Sequence, residues 1–297
     1  METGPTKSCS VRSHEVRLKK LTLVKSIGLA AVTIWATTVA VHNTLSTAVT
    51  AAPAAVGVIV RGASVSQVAV RTSPPSLTGG VGPGRFNTVP PGSPLLSETA
   101  CDTKVRPVSE RRPANTAANH TVGVNSQVPG VTGNFTGTTD EIIQWVSCKW
   151  GIDEDVVRAQ IAKESWWRQD AGGDYTTDQG SCHPRLRTAA GTCPESLGLG
   201  QVRYPYHGAA FANDNALNSS AYNLDYTYSV WRACFEGQSS WLNSVERGRN
   251  YSAGDIWGCL GVWFAGRWYT SAAVGYIASV QELLATRVWE TPGFQSG

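Results

Sequence analysis

Glu164 falls three residues after Ile161 and seven after Val157, so a helix through this stretch carries all three on one inward face. A carboxylate there must be paired, or it must stay protonated to avoid the cost of desolvation. Burial raises a carboxylic acid's pKa, and a general acid working near neutral pH needs that. Trp166 and Trp167 follow at once and can supply an apolar wall. The competing reading is a core glutamate neutralised by Arg158, Lys163 or Arg168. Spacing alone leans toward that structural role. Beyond Glu164 come Asp170, Asp174 and Asp178, beside Gly172, Gly173 and Gly180. Each fits a turn-capping role, and Asp174 is the best candidate for a second acid.

A second segment, Ser196-Leu197-Gly198-Leu199-Gly200-Gln201-Val202, changes the balance. Glu164-Ser165 followed by this stretch resembles the soluble lytic transglycosylase and goose-type lysozyme superfamily, in which a Glu-Ser at a helix end precedes a Gly-Leu-x-Gln turn. Asn223-Leu224-Asp225 is similar to that family's Asn-led helix, and Tyr276 with Val280 to its closing Tyr-x-x-x-Val element. Where the family has Tyr-Asn-Ala-Gly this chain has Trp263-Phe264-Ala265-Gly266, so only Ala-Gly carries over. The resemblance covers roughly residues 138–290. It implies a lysozyme-like domain with Glu164 as proton donor. It also implies that Ser165, Gly198, Gln201, Asn223 and Tyr276 line the substrate site.

Glycoside cleavage usually takes two carboxyl groups about 5–9 Å apart. The resemblance implies a one-acid route on the MurNAc-GlcNAc β-1,4 bonds of peptidoglycan. There the sugar's N-acetyl group replaces the second carboxylate, and the same Glu then activates the 6-hydroxyl to give a 1,6-anhydro end. A hydrolytic muramidase or related N-acetylhexosaminidase would instead need an Asp such as Asp174. A non-catalytic cell-wall-binding module is the reading from another class, although a mere binder gains nothing from a buried acid. A Cys148–His207 dyad for peptide cleavage is the weakest alternative, because Cys148 is better spent on a disulfide. No cofactor or metal is expected. The partner is peptidoglycan or a related N-acetylated glycan.

These residues need a scaffold. Thr139-Asp140-Glu141 reads as a helix start, Ile142, Ile143, Val146 and Trp150 recur at helical spacing, and Gly151 supplies a stop. Asp153 caps the helix that carries Glu164. Residues 168–197 lose periodicity and read as a loop-rich lobe with a small hairpin. Helical patterns resume at Ala221–Glu236, Ser239–Arg247, Asp255–Phe264 and Ala272–Val288. The expected fold is mostly α, with one small loop and β lobe.

The rest of the chain reads differently. Residues 1–137 carry 13 Lys/Arg against 5 Asp/Glu, whereas residues 138–297 carry 12 against 17. Ten of the 11 Trp and all nine Tyr lie in the second part, so the core belongs there. The basic balance describes the tail and is no argument for nucleic acid. Six basic side chains before residue 26, an apolar run from Ile27 to Val41 and small residues around Ala51 follow signal-peptide order. Residues 1–51 are therefore expected to export the chain to a secreted or extracytoplasmic place, or, if uncleaved, to tether it to the membrane. Residues 52–137, rich in Pro, Gly, Ser and Thr, are expected to form a disordered linker before a domain over 138–297. Apart from Cys9, six cysteines remain, and nearness favours Cys182–Cys193 and Cys234–Cys259, leaving Cys101–Cys148. A zinc site through Cys182, His183 and Cys193 fits no familiar spacing.

Overall fold

Helix ends in the computed structural model follow from local side-chain chemistry. The structure describes residues 84–112, 115, 126–244 and 250–296, with no side-chain description at 295 and 296. The expected export segment, Cys9 and residues 52–83 of the expected linker lie outside the described residues. A short helix α1 (Glu98–Asp102) precedes α2 (Thr139–Trp150). Thr138 caps α2, one residue earlier than expected, because its hydroxyl reaches the Glu141 N–H while the Glu141 carboxylate accepts from the Thr138 N–H at 2.7 Å. Gly151 closes α2 in the left-handed conformation. Asp153 caps α3 (Glu154–Ser165) through the N–H groups of Asp155 and Val156.

The lobe after α3 is a three-stranded antiparallel sheet: β1 (Gly172–Thr176), β2 (Cys193–Leu197) and β3 (Val202–Arg203), in that order. Gly172 pairs with Leu197 and Leu197 with Val202, so the Gly198–Gln201 turn is held between two strand pairings. Then come α4 (Asn215–Asn218), α5 (Ser220–Phe235), α6 (Ile256–Ala265), α7 (Ser271–Thr286) and α8 (Pro292–Ser296). About half of the described residues are helical, so the fold they form is mostly α with a small sheet. The helix expected over 239–247 is only a 3-10 turn at Ser240–Asn243 among the described residues.

The larger core is filled by Ile142, Trp145, Val157, Ile161, Trp231, Leu260 and Val280, contributed by α2, α3, α5, α6 and α7. A second cluster with Leu197, Val202, Phe211 and Tyr222 lies under the sheet. The three expected disulfides are present: Cys101–Cys148, Cys182–Cys193 and Cys234–Cys259. Such bridges belong to an oxidising compartment. They also exclude the zinc reading at Cys182 and Cys193 and the Cys148–His207 dyad.

Packing begins well before residue 138, so the linker expected to run to Gly137 is corrected. Cys101, Arg112 and Val131 are buried. The Arg106 N–H donates to Gln144 at 2.9 Å, and its guanidinium grips both Glu154 oxygens at 2.7 Å. The Thr132 and Gly133 N–H groups donate to the Asp225 carboxylate at 2.8 and 3.0 Å. Polar ties to buried side chains do here what apolar burial does elsewhere. Composition alone therefore misplaces the boundary.

Candidate active site

Glu164 stands at the last turn of α3, half-buried and without an ion pair among the described residues. The expected neutralising partners are used elsewhere or exposed. Arg158 pairs with Asp140 at 2.7 Å and with Glu154 at 2.9 Å, and Lys163 lies at the surface. Burial is the main reason that the Glu164 carboxyl is pushed up to about 7, and the nearby Asp174 charge adds to it. A hydrogen bond from Tyr276 and the charge of Lys163 pull the other way. The proton is thus available to donate near neutral pH.

Tyr276, on α7, donates its hydroxyl to Glu164 Oε1. Gln160 hydrogen-bonds Tyr276 and also accepts from the Tyr228 hydroxyl at 2.8 Å. Gln160, Tyr228 and Tyr276 are all buried, so the chain from α5 through α3 to α7 fixes the carboxyl's orientation. Tyr276 therefore meets Glu164 directly, whereas the resemblance implies a substrate contact. Gln160 is the residue that sequence reasoning missed. It lies one helical turn before Glu164, a spacing that could have found it.

Asp174 is on β1 at a φ of 50°, with its side chain 52% exposed. It accepts from the Ser196 hydroxyl at 2.5 Å and lies 3.8 Å from the Arg203 guanidinium. Ser165, expected at the substrate site, is buried, and its hydroxyl donates to the Ile161 carbonyl at 3.2 Å.

Asn223, also expected at the substrate site, is engaged within the fold. Its side chain is buried, donating to the carbonyls of Leu197 at 2.9 Å and Ala216 at 3.1 Å, and accepting from the Gly200 N–H at 2.8 Å. Every strong hydrogen-bonding direction it has toward the turn is spent. The turn explains the glycine. Gly198 has a φ of +74°, and a Cβ there would lie 2.5 Å from the Asn223 amide nitrogen. Gln201 is half-buried, with its amide donating to the Ala171 and Gly198 carbonyls and its side-chain oxygen over Gly173. Asn223 and Gln201 thus shape the Gly198–Gln201 turn.

The residues that depart from the family pattern are also engaged. The Trp263 indole donates to the Gly200 carbonyl at 3.0 Å and stacks on His207 at 5.1 Å. Phe264 stacks on Tyr276. Of the aromatics near the motifs, Trp167 and Trp268 are core, whereas Tyr175 and Tyr206 are exposed. Burial holds His207 down at about 4, so it is neutral at working pH. A cavity of about 630 Å³ lined by Leu95, Val128, Trp150, Tyr226 and Arg232 includes none of the candidate site residues. The acid's environment, and not cavity size, marks the site. No group of three or more His, Cys, Asp and Glu side chains arranged for a metal ion occurs among the described residues. No protein-family model, curated protein or solved structure matches the chain.

Proposed function

We propose that this protein cleaves the glycan strand of peptidoglycan, at MurNAc-GlcNAc β-1,4 bonds, as a lytic transglycosylase with Glu164 as its one catalytic carboxyl group. The observation that carries the reading is a half-buried glutamate without an ion pair, pushed up to about 7 and oriented by the buried Tyr276. In the protonated form Glu164 donates to the departing glycosidic oxygen. The substrate's N-acetyl group then supports the developing charge, and the glutamate, now ionised, takes the 6-hydroxyl proton as the 1,6-anhydro ring closes. The segments that resemble the lytic transglycosylase and goose-type lysozyme superfamily support the substrate class. The three disulfides and the N-terminal sequence pattern support work outside the cytoplasm.

A second reading within the class, a hydrolytic muramidase, draws on Asp174, whose charge reaches Glu164. Its carboxylate is already engaged by Ser196 and Arg203, which favours the one-acid route. The test is release of soluble glycan from purified walls. Glu164→Gln keeps volume and cannot donate the proton, so release should fall by about 10²–10⁴ while the fold persists. Wild-type release from a well-folded Glu164→Gln protein would remove Glu164 from the chemistry, and no release even by the wild type would move a binding-module reading ahead.

A further inference from the structure

Phe264 is 57% exposed, one of the few large apolar side chains so exposed among the described residues. A single exposed aromatic needs no explanation by itself. What sets this one apart is its neighbour. Its ring lies on that of Tyr276, with centroids 4.8 Å apart and planes 3° from parallel. Tyr276 in turn is 3% exposed and donates to Glu164. With one face of Phe264 covered by Tyr276, its exposure must come from the opposite face and the edges. The α6 helix ends two residues later at Gly266, in the left-handed conformation, which fixes the backbone beneath the ring. The result is a flat apolar surface, held rigid from behind and one side chain removed from the proton donor.

We infer that Phe264 is a substrate-binding residue whose open face stacks on the apolar C–H face of an N-acetylated pyranose placed beside Glu164. The inference rests on the glycan-cleavage reading and adds to it a specificity element. A pyranose presents axial C–H groups on one face, and an aromatic ring offers them contact area without demanding a charged partner. Because Tyr276 already holds the ring, little rotamer freedom is lost on binding. The stack also makes Phe264 selective. A flat sugar face fits it, whereas a bare phosphate or other charged group gains nothing from it.

The test uses the full chain and soluble peptidoglycan strands, with Phe264→Ala and Phe264→Trp measured beside the wild type. An aromatic contact of this kind is worth about two- to tenfold in affinity. Phe264→Ala should raise KM by that factor, with a smaller change in kcat and the same pH profile, and Phe264→Trp should restore KM. An unchanged KM in Phe264→Ala overturns the inference. So does a fall in kcat with a displaced pH profile, which would show that Phe264 only props Tyr276. Direct binding of the same strands to Glu164→Gln separates the two levels of the argument. If the Glu164→Gln protein binds strands and Phe264→Ala added to it binds them equally well, only the stacking contact fails. If the wild type neither binds nor cleaves the strands, the glycan reading fails and this inference with it.

Discussion

At the scale of single residues, the account turns on one proton. Glu164 must be protonated to act, so activity should fall as pH rises through about 7. Tyr276 donates to the carboxylate and stabilises its ionised form, which lowers its pKa. Tyr276→Phe removes that donor. The alkaline limb of the pH–rate profile should therefore move upward by a measurable fraction of a pH unit, and kcat should fall as the carboxyl loses its fixed orientation. A limb that stays in place would separate Tyr276 from the acid's titration. The place of Glu164 on the inward side of α3 was legible in the sequence, because helical spacing from Val157 and Ile161 marks that face. Its freedom from Arg158 was not, since the partners Asp140 and Glu154 come from a long-range arrangement that helical spacing does not show. The buried hydrogen bonds of Ser165 and Asn223 were not legible for a related reason. A motif gives residue types in order, but not which way a short polar side chain points.

Among the elements, the Gly198–Gln201 turn carries two of the residues that the resemblance assigns to the substrate site, and Asn223 of α5 holds it. Asn223→Ala would leave the Gly200 N–H and the Leu197 and Ala216 carbonyls without that partner in a buried place. The expected cost is on the order of 3 kcal/mol. Thermal unfolding should show it as a clear drop in Tm, whatever happens to KM. A variant with wild-type Tm and a raised KM would return Asn223 to the role of substrate contact. The long helices were readable from the chain because cap residues such as Asp153 and the stop at Gly151 sit beside strong periodicity. The sheet was readable only as an irregular lobe. Its strands are two to five residues long, β1 carries two glycines and Asp174 at positive φ, and pairing rather than pattern defines them.

On the scale of the whole molecule, the described residues between 84 and 137 are part of the folded unit. They supply Cys101 to a disulfide and give partners to the buried Glu154 and Asp225. Their composition hid this, because few large apolar side chains mark them; the pairing of Cys101 with Cys148 was the one readable sign. A protein shortened to residues 138–297 loses a bridge worth about 2–5 kcal/mol and leaves buried carboxylates without their partners. Its Tm should fall by roughly 10–20 °C, if it folds at all. Equal stability in the shortened and full-length proteins would restore the linker reading. If one glutamate suffices for glycan cleavage, the chemistry of the ends it leaves will show it. Mass spectrometry of the muropeptides released from purified walls by the wild type and by Asp174→Asn should show 1,6-anhydro ends in both, at comparable yield. Reducing ends from the wild type, with release lost in Asp174→Asn, would contradict it and make the protein a two-carboxylate hydrolase.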